Sequence, residues 1–305
     1  MNNTFKILTT LIFILSFSNC KKELSFKFAG GFKNGTYSQI AESLKTIPDF
    51  KPVISNTDGS TDNIFQLSDK KADFSIAQLD VLQNITIGQA DIGKNVKVLL
   101  PLYGEEVHLI TAKSIKDFDS LKNKKISIGD SESGTKLTSL IFLSQFGIDN
   151  NNSKLEETSS DKAIEELVAG NLDAMVLVSG LPVKLLADLP KRMEDKIQLL
   201  SFPKEDLETV KNTGLIYQKT EIPSGTYVWE PKPIQTILVQ SVLVCRGDIE
   251  TEKVKQFLDG VWKNKDALAT QHPKWKNLTK ESIEKHLKRN PNLFHPEVST
   301  FLSRI

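Results

Sequence analysis

The chain has 305 residues, enough for one large core or two ordinary ones. Charged residues make up 25% and apolar ones 39%, the proportions of a folded globular protein. A formal net charge of +1 without basic or acidic blocks excludes the electrostatic footprint of a nucleic-acid binder, and two Cys and four scattered His fit no zinc-ligand spacing.

The first twenty residues differ in kind from the rest. Lys6 precedes an apolar run at 7–15, too short to span a bilayer and suited to a signal h-region. Ser16-Phe17-Ser18-Asn19 then leads to Cys20, with Lys21 and Lys22 behind. The stretch resembles a bacterial lipoprotein box, in which Cys20 becomes the lipidated first residue. Phe17 and Asn19 stand where that pattern usually has Leu and Gly or Ala; a plain secretory signal is the alternative. The expectation is a signal peptide at 1–19, a lipidated tether at 20–24, and a periplasmic chain held to the membrane through Cys20. Cys245, in an apolar run at 236–245, then has no disulfide partner and reads as a small buried hydrophobe.

Ser25-Phe26-Lys27-Phe28-Ala29 alternates and predicts the first strand. Gly35-Thr36-Tyr37 opens a helix with Ile40, Ala41 and Leu44 on one face. Residues 52–56 predict the second strand, and the turn at 57–63 enters a helix with Ser60 as its N-cap. Residues 74–77 form strand three, delivering Gln78 and Asp80 at its carboxyl end. Two strands follow, at 96–100 and 107–110. Strands alternating with helices predict a parallel sheet, whose ligands sit beyond the carboxyl ends of the strands. That places Gly35 to Tyr37, Ser60 to Asn63 and Gln78 to Asp80 on one rim.

Around 111–123 the pattern restarts. A strand at 125–128, helices at 135–146 and 161–169, and a strand at 174–178 follow; Ser179-Gly180-Leu181-Pro182 opens the next helix. A strand at 197–200, a helix at 205–211 and a segment at 215–222 complete the second unit, with Gly225-Thr226-Tyr227 marking the return. The run 237–245 is too apolar for an edge strand, and the tail from Thr251 is helical. Two α/β lobes are therefore expected, 25–110 plus 225–305 and 111–224, the second inserted in the first through two crossings.

The stretch from Lys125 to Lys136 is strand, glycine-rich turn and helix, a corner whose unpaired N–H groups suit an anion. As a phosphate loop, Gly129-x4-Gly134-Thr135-Lys136 has its Lys and hydroxyl residue in the wrong order. Gly129-Asp130-Ser131 resembles the first block of GDS-type esterases, but their later Asp-x-x-His-Pro would be Asn292 to Pro296, and Asn cannot stabilise an imidazolium by charge. Ser133 occupies the second Gly of a G-x-S-x-G elbow. What remains is a non-catalytic cradle at Ser133-Gly134-Thr135, or a capped helix without a ligand.

The order and spacing of several motifs make the chain resemble, from Phe26 to Arg304, the TAXI-family solute receptors of TRAP transporters, a branch of the type 2 periplasmic binding proteins. They are Gly35-Thr36-Tyr37, Asp58-Gly59-Ser60-Thr61-Asp62-Asn63, Ser75-Ile76-Ala77-Gln78-Leu79-Asp80, the stretch Leu102 to Leu109 with Glu105, Glu106 and His108, the stretch Leu121 to Gly129, and Ser133-Gly134-Thr135. Asp173-Ala174, Pro182, Gly225-Thr226-Tyr227 and His295-Pro296 also match, while Asn123 stands where the family usually has Gly. The resemblance implies a two-lobed receptor without catalysis or cofactor, closing on glutamate, 2-oxoglutarate or a related organic or amino acid and delivering it to membrane permease subunits. The expected ligand-binding residues are Gly35, Thr36, Tyr37, Ser60, Asn63, Gln78, Ser133, Gly134, Thr135 and Pro182.

Each has a plainer reading. Tyr37 stacks on ligand or staples its helix; Asn63 contacts ligand or caps its turn. Glu106 and His108 share a strand face and couple, as an ordinary hinge salt bridge or functionally. Of the four Arg, at 192, 246, 289 and 304, none is placed at a strand's carboxyl end, so an Arg clamp is not expected. The competing functions are an extracytoplasmic esterase using Ser131 and a receptor-fold lipoprotein serving sensing or adhesion.

Overall fold

The structure, a computed structural model, describes residues 23–33, 35–203, 205 and 216–305. The expected signal peptide, Cys20 and nearly all of the helix expected at 205–211 lie outside the described residues. The first part of the chain runs β1 (Leu24–Ala29), α1 (Thr36–Ser43), β2 (Phe50–Ser55), α2 (Ser60–Ser68), β3 (Phe74–Gln78), α3 (Leu79–Gly88), α4 (Ala90–Asn95) and β4 (Val96–Ala112). Next come β5 (Lys125–Gly129), α5 (Gly134–Gln145), β6 (Lys154–Glu157), α6 (Ser160–Ala169), β7 (Ala174–Ser179), α7 (Lys184–Ala187), β8 (Ile197–Leu199) and β9 (Tyr217–Ile222). β10 (Ile234–Arg246) leads into α8 (Thr251–Lys263) and a tail of short helices.

One sheet of ten strands joins everything, in the order β2-β1-β3-β10-β4-β7-β5-β6, with β8 beside β4 and β9 beside β10. The alternating segments pair in parallel, β1 with β2 and β3, β5 with β6 and β7. The sheet as a whole is mixed rather than parallel as expected, because β10 runs antiparallel to β3 and β4, and β4 antiparallel to β7. The strands expected at 96–100 and 107–110 are the two ends of β4. Pro101 lacks an amide donor and reads as a break, yet a register shift between Gln240 and Val242 of β10 lies beside it and carries the strand through. β6 was not expected: Lys-Leu-Glu-Glu is an edge strand kept soluble by its charges, with no apolar alternation to reveal it.

Two lobes result, the second inserted in the first. Phe26, Phe74, Leu100, Val244 and Phe257 belong to the first core, with the Phe74 and Phe257 rings stacked 4.1 Å apart. The second lobe buries Val107, Ile126, Phe142 and Val239 on one face of the sheet's far half, and Ile110, Leu167, Met175 and Trp229 in another cluster. The changeover falls inside β4 between Tyr103 and Val107, and inside β10 between Val239 and Val242. The crossings expected near Thr111 and Tyr227 are thus moved. Tyr227 stacks on Trp229, whose indole N–H donates to the Leu186 carbonyl at 2.7 Å, and both rings are second-lobe core. Pro182 does not open a helix, since α7 starts at Lys184 after Val183. Cys245 is free and buried, as the apolar run requires.

Candidate functional site

Between the lobes lies a cavity of about 150 Å³. Its wall brings together the starts of four helices: Gly35 to Tyr37 of α1, Gly59 and Ser60 of α2, Ser133 to Thr135 of α5, and Ser160 of α6. Phe32, Gln78, Glu105, Asp130 and the end of β7 complete it. Each helix start carries N–H groups with no carbonyl a turn behind them, and the positive end of the helix dipole.

Local chemistry explains how each start is presented. α2 is preceded by Gly59 at φ 112° and ψ −155°, a conformation open essentially only to glycine. Gly59 is therefore the N-cap position, and the Ser60 hydroxyl expected to cap the helix instead accepts the Gln78 backbone N–H at 3.0 Å. At α5 Ser133 is the cap: its Oγ accepts from Lys136 N at 3.2 Å and donates to the Asp130 carbonyl at 2.7 Å. Thr135 Oγ1 accepts from Val178 N at 3.3 Å. With these side chains engaged locally, α5 offers the cavity chiefly its first backbone N–H groups.

The two rims touch. A Cβ added to Gly134 would lie 1.5 Å from Gln78 Oε1 and 2.9 Å from Ser60 Oγ, so only a glycine lets α5 approach the first lobe this closely. Asp62 N donates to the Glu132 carbonyl at 3.4 Å. Beside the cavity, the buried Asp80 carboxylate accepts from Thr138 of α5 at 2.6 Å and from Tyr217 of β9 at 2.9 Å. Burial raises its pKa above the ordinary carboxylate value, while these donors oppose the shift.

The residue missed by the sequence reading is Glu105. It lies within β4, 4% exposed, and contributes to the cavity wall. Tyr37 donates to its Oε2 at 3.0 Å and Tyr103 to its Oε1 at 3.0 Å. Burial drives its pKa up to about 7 against the pull of these donors. Burial and the adjacent Glu105 also push both tyrosine hydroxyls well above their usual range. Among the described residues lining the cavity there is no Lys, Arg or His, and Asp130 is a second carboxyl, raised by burial and by Asp58.

Of the residues expected at the site, Gly35, Thr36, Tyr37, Ser60, Gln78, Ser133, Gly134 and Thr135 meet in this wall, while Asn63 and Pro182 do not. Asn63 is fully buried behind it; its Oδ1 accepts from Thr57 and its Nδ2 donates to the Ile76 carbonyl at 2.8 Å, tying α2 to β3. Pro182 follows a cis peptide bond past the end of β7. Glu106 and His108 form no ion pair. Glu106 accepts from Leu181 N at 3.2 Å, whereas His108 Nδ1 meets the Glu106 backbone carbonyl and Nε2 the Tyr227 hydroxyl, each at 2.9 Å. Burial lowers the His108 pKa to about 4, which keeps it neutral. Arg246 does end a strand, but β10 is antiparallel, so it sits at the opposite rim with Asp73 and Asp248. The esterase reading loses its geometry as well. Ser131 is exposed on the second lobe, and His295 Nδ1 accepts from Glu297 N while its own backbone N–H reaches Val98 on the first.

Residues 28–299 match the model of a family described as the NMT1-like family. The chain belongs to the NMT1-like family. Among solved structures, this member of the NMT1-like family is similar to XAC2383 from Xanthomonas citri bound to ATP, with a TM-score of 0.55 and 8% identity over 93% of this chain and 100% of that one. It is similar also to the alkanesulfonate-binding protein SsuA from Xanthomonas axonopodis pv. citri bound to MOPS, at TM-score 0.51 and 12% identity over 92% and 84%. The GluR0 ligand-binding core from Nostoc punctiforme in complex with L-glutamate matches at TM-score 0.50 and 13% identity over 82% and 98%. Identities this low speak to the fold, which is the two-lobed α/β fold of periplasmic binding proteins.

Proposed function

We propose that the chain is an extracytoplasmic solute receptor that captures a small organic or amino acid between its lobes and delivers it to a membrane permease. The observation that carries this is the convergence of four helix starts, from both lobes, on one small interlobe cavity. A carboxylate there meets fixed backbone donors without a cationic side chain. The similarity in fold to an alkanesulfonate-binding protein and to a glutamate-bound core supports an acidic solute. A TRAP-type permease as partner rests on the TAXI-like motifs, and periplasmic anchoring through Cys20 on the N-terminal sequence. Isothermal titration of the mature chain with C4–C5 dicarboxylates and amino acids tests the receptor reading. Micromolar or tighter binding to one of them is expected; no heat with any organic acid at millimolar concentration overturns it.

A further inference from the structure

The cavity poses an electrostatic problem that helix starts alone do not solve. Its described lining carries two carboxyls, Glu105 and Asp130, and no cation, so an acid entering it meets like charge. Glu105 cannot turn away, being fixed from both sides by Tyr37 and Tyr103. A carboxylate has about four lone-pair sites. Tyr37 and Tyr103 occupy two, leaving room for further donors. Gln78 Oε1, buried without a hydrogen-bond partner, faces Gly134 of α5, so Glu105 is the acceptor presented to the cavity here. A buried carboxylate with acceptor sites to spare suits a donor-rich group such as an ammonium.

The alternative is to neutralise Glu105, and the surroundings allow that too. Tyr37 Oη lies 3.3 Å from Ser60 Oγ and can donate there when Oε2 takes a proton. The groups facing Glu105 are Tyr37 from α1, Ser60 from α2, Gln78 from β3, Asp80 from α3 and Tyr103 from its own strand. Lys274 is kept from it by the Tyr103 ring, whose centre lies 5.2 Å from the ammonium. Asp130 and, behind it, Asp58 face the same space from the second lobe and the α2 turn.

Resting on the receptor reading above, we propose that the protonation state of Glu105 selects the class of acid bound. As a carboxylate it accepts from the ammonium of an amino acid. As a carboxylic acid it donates to a ligand carboxylate, so a dicarboxylate lacking an amine enters together with one proton taken from solvent and returned on release. A carboxyl that titrates at about 7 makes both states accessible near neutrality.

The test is titration calorimetry of the wild-type chain, Glu105→Gln and Asp130→Asn with succinate, 2-oxoglutarate and L-glutamine between pH 5.5 and 8.5, in buffers of different ionisation heat. Dicarboxylate Kd should rise about tenfold per pH unit above 7, with uptake of close to one proton per ligand there. Glutamine should lack that slope. Glu105→Gln should bind dicarboxylates without the slope and weaken glutamine at least tenfold; Asp130→Asn should keep the slope. Wild-type proton uptake stands even if Glu105→Gln fails to fold. A pH-independent dicarboxylate Kd without proton uptake overturns the proposal and leaves the receptor intact, as does a slope that follows Asp130 instead. Absence of binding to every acid takes both down.

Discussion

Gly134→Ala isolates the contact between lobes from the folding of either lobe. Gly134 is the first residue of α5, where alanine suits the backbone, so the substitution should cost the helix nothing. What it meets is the other lobe. The new methyl would sit 1.5 Å from Gln78 Oε1, 2.6 Å from its Cδ and 2.9 Å from Ser60 Oγ. Ordinary contact requires about 3.4 Å. The Gln78 tip must therefore retreat by about 2 Å. Ser60 has less freedom, since its hydroxyl is bonded to Gln78 N. Overpacking of this kind costs about 1–3 kcal/mol. That is a fall of roughly 5- to 150-fold in the closure equilibrium and hence in affinity. Calorimetry with the best wild-type ligand reads the affinity, small-angle scattering reads closure, and a melt of the unliganded protein reads the fold. The expected result is weaker binding and a more open ensemble with a nearly unchanged melting temperature. Wild-type affinity and closure in Gly134→Ala would refute the idea that α5 must reach the first lobe to trap the ligand.

Asn63→Ala leaves the buried Thr57 hydroxyl and Ile76 carbonyl without their partner; it should lower stability by about 1–3 kcal/mol in urea unfolding, with ligand affinity of the folded fraction preserved. Thr138→Val removes one donor to the buried Asp80 carboxylate across the lobes, worth about 1.5–3 kcal/mol in the closed form; Kd should rise tenfold or more while the unliganded melt barely moves. His108, whose pKa falls from 6.5 to about 4 on folding, contributes stability that is present above pH 6.5 and lost as pH falls towards 4, about 3 kcal/mol in all, read by denaturant titration across that range. Glu105 has the opposite sign: raised from 4.5 to about 7, it stabilises fully below pH 4.5 and loses that contribution as pH rises through 7, so Glu105→Gln should show a steeper acid loss than wild type.

Much of the scaffold was legible because it is local. β1, β3, β5 and β7 are short apolar runs between turns, and α1, α5 and α6 begin at small or polar residues that mark a helix start wherever they occur. The long strands were harder. Nothing in Pro101 to Gly104 says that the chain continues straight, because the register shift that absorbs Pro101 belongs to β10, more than a hundred residues away. The same strand hides the second crossing. Gly225-Thr226-Tyr227 reads as a boundary in one dimension, yet the burial of Tyr227 and Trp229 against the second lobe is decided by what packs around them.

The site divides along the same line. Backbone donors at helix starts follow from sequence, and the residues named for them do converge on one cavity. Side-chain roles do not follow, since they depend on which way a residue turns and what has already claimed its polar atoms. Asn63 sits in the right turn but both its amide atoms are taken. Glu105 and Glu106 are neighbours in a strand, so they point to opposite faces. One joins the cavity wall between two tyrosines while its neighbour bonds the backbone of Leu181. Glu106 drew attention because His108 lies two residues on, a pairing the strand period permits and the fold does not use. The signal for Glu105 was present as Tyr103 two residues before it, on the same face, with Tyr37 supplied by a different motif. Only the fold, which carries Tyr37 of α1 to within 3.0 Å of Glu105 on β4, turns those three separate residues into a buried carboxyl between two hydroxyls.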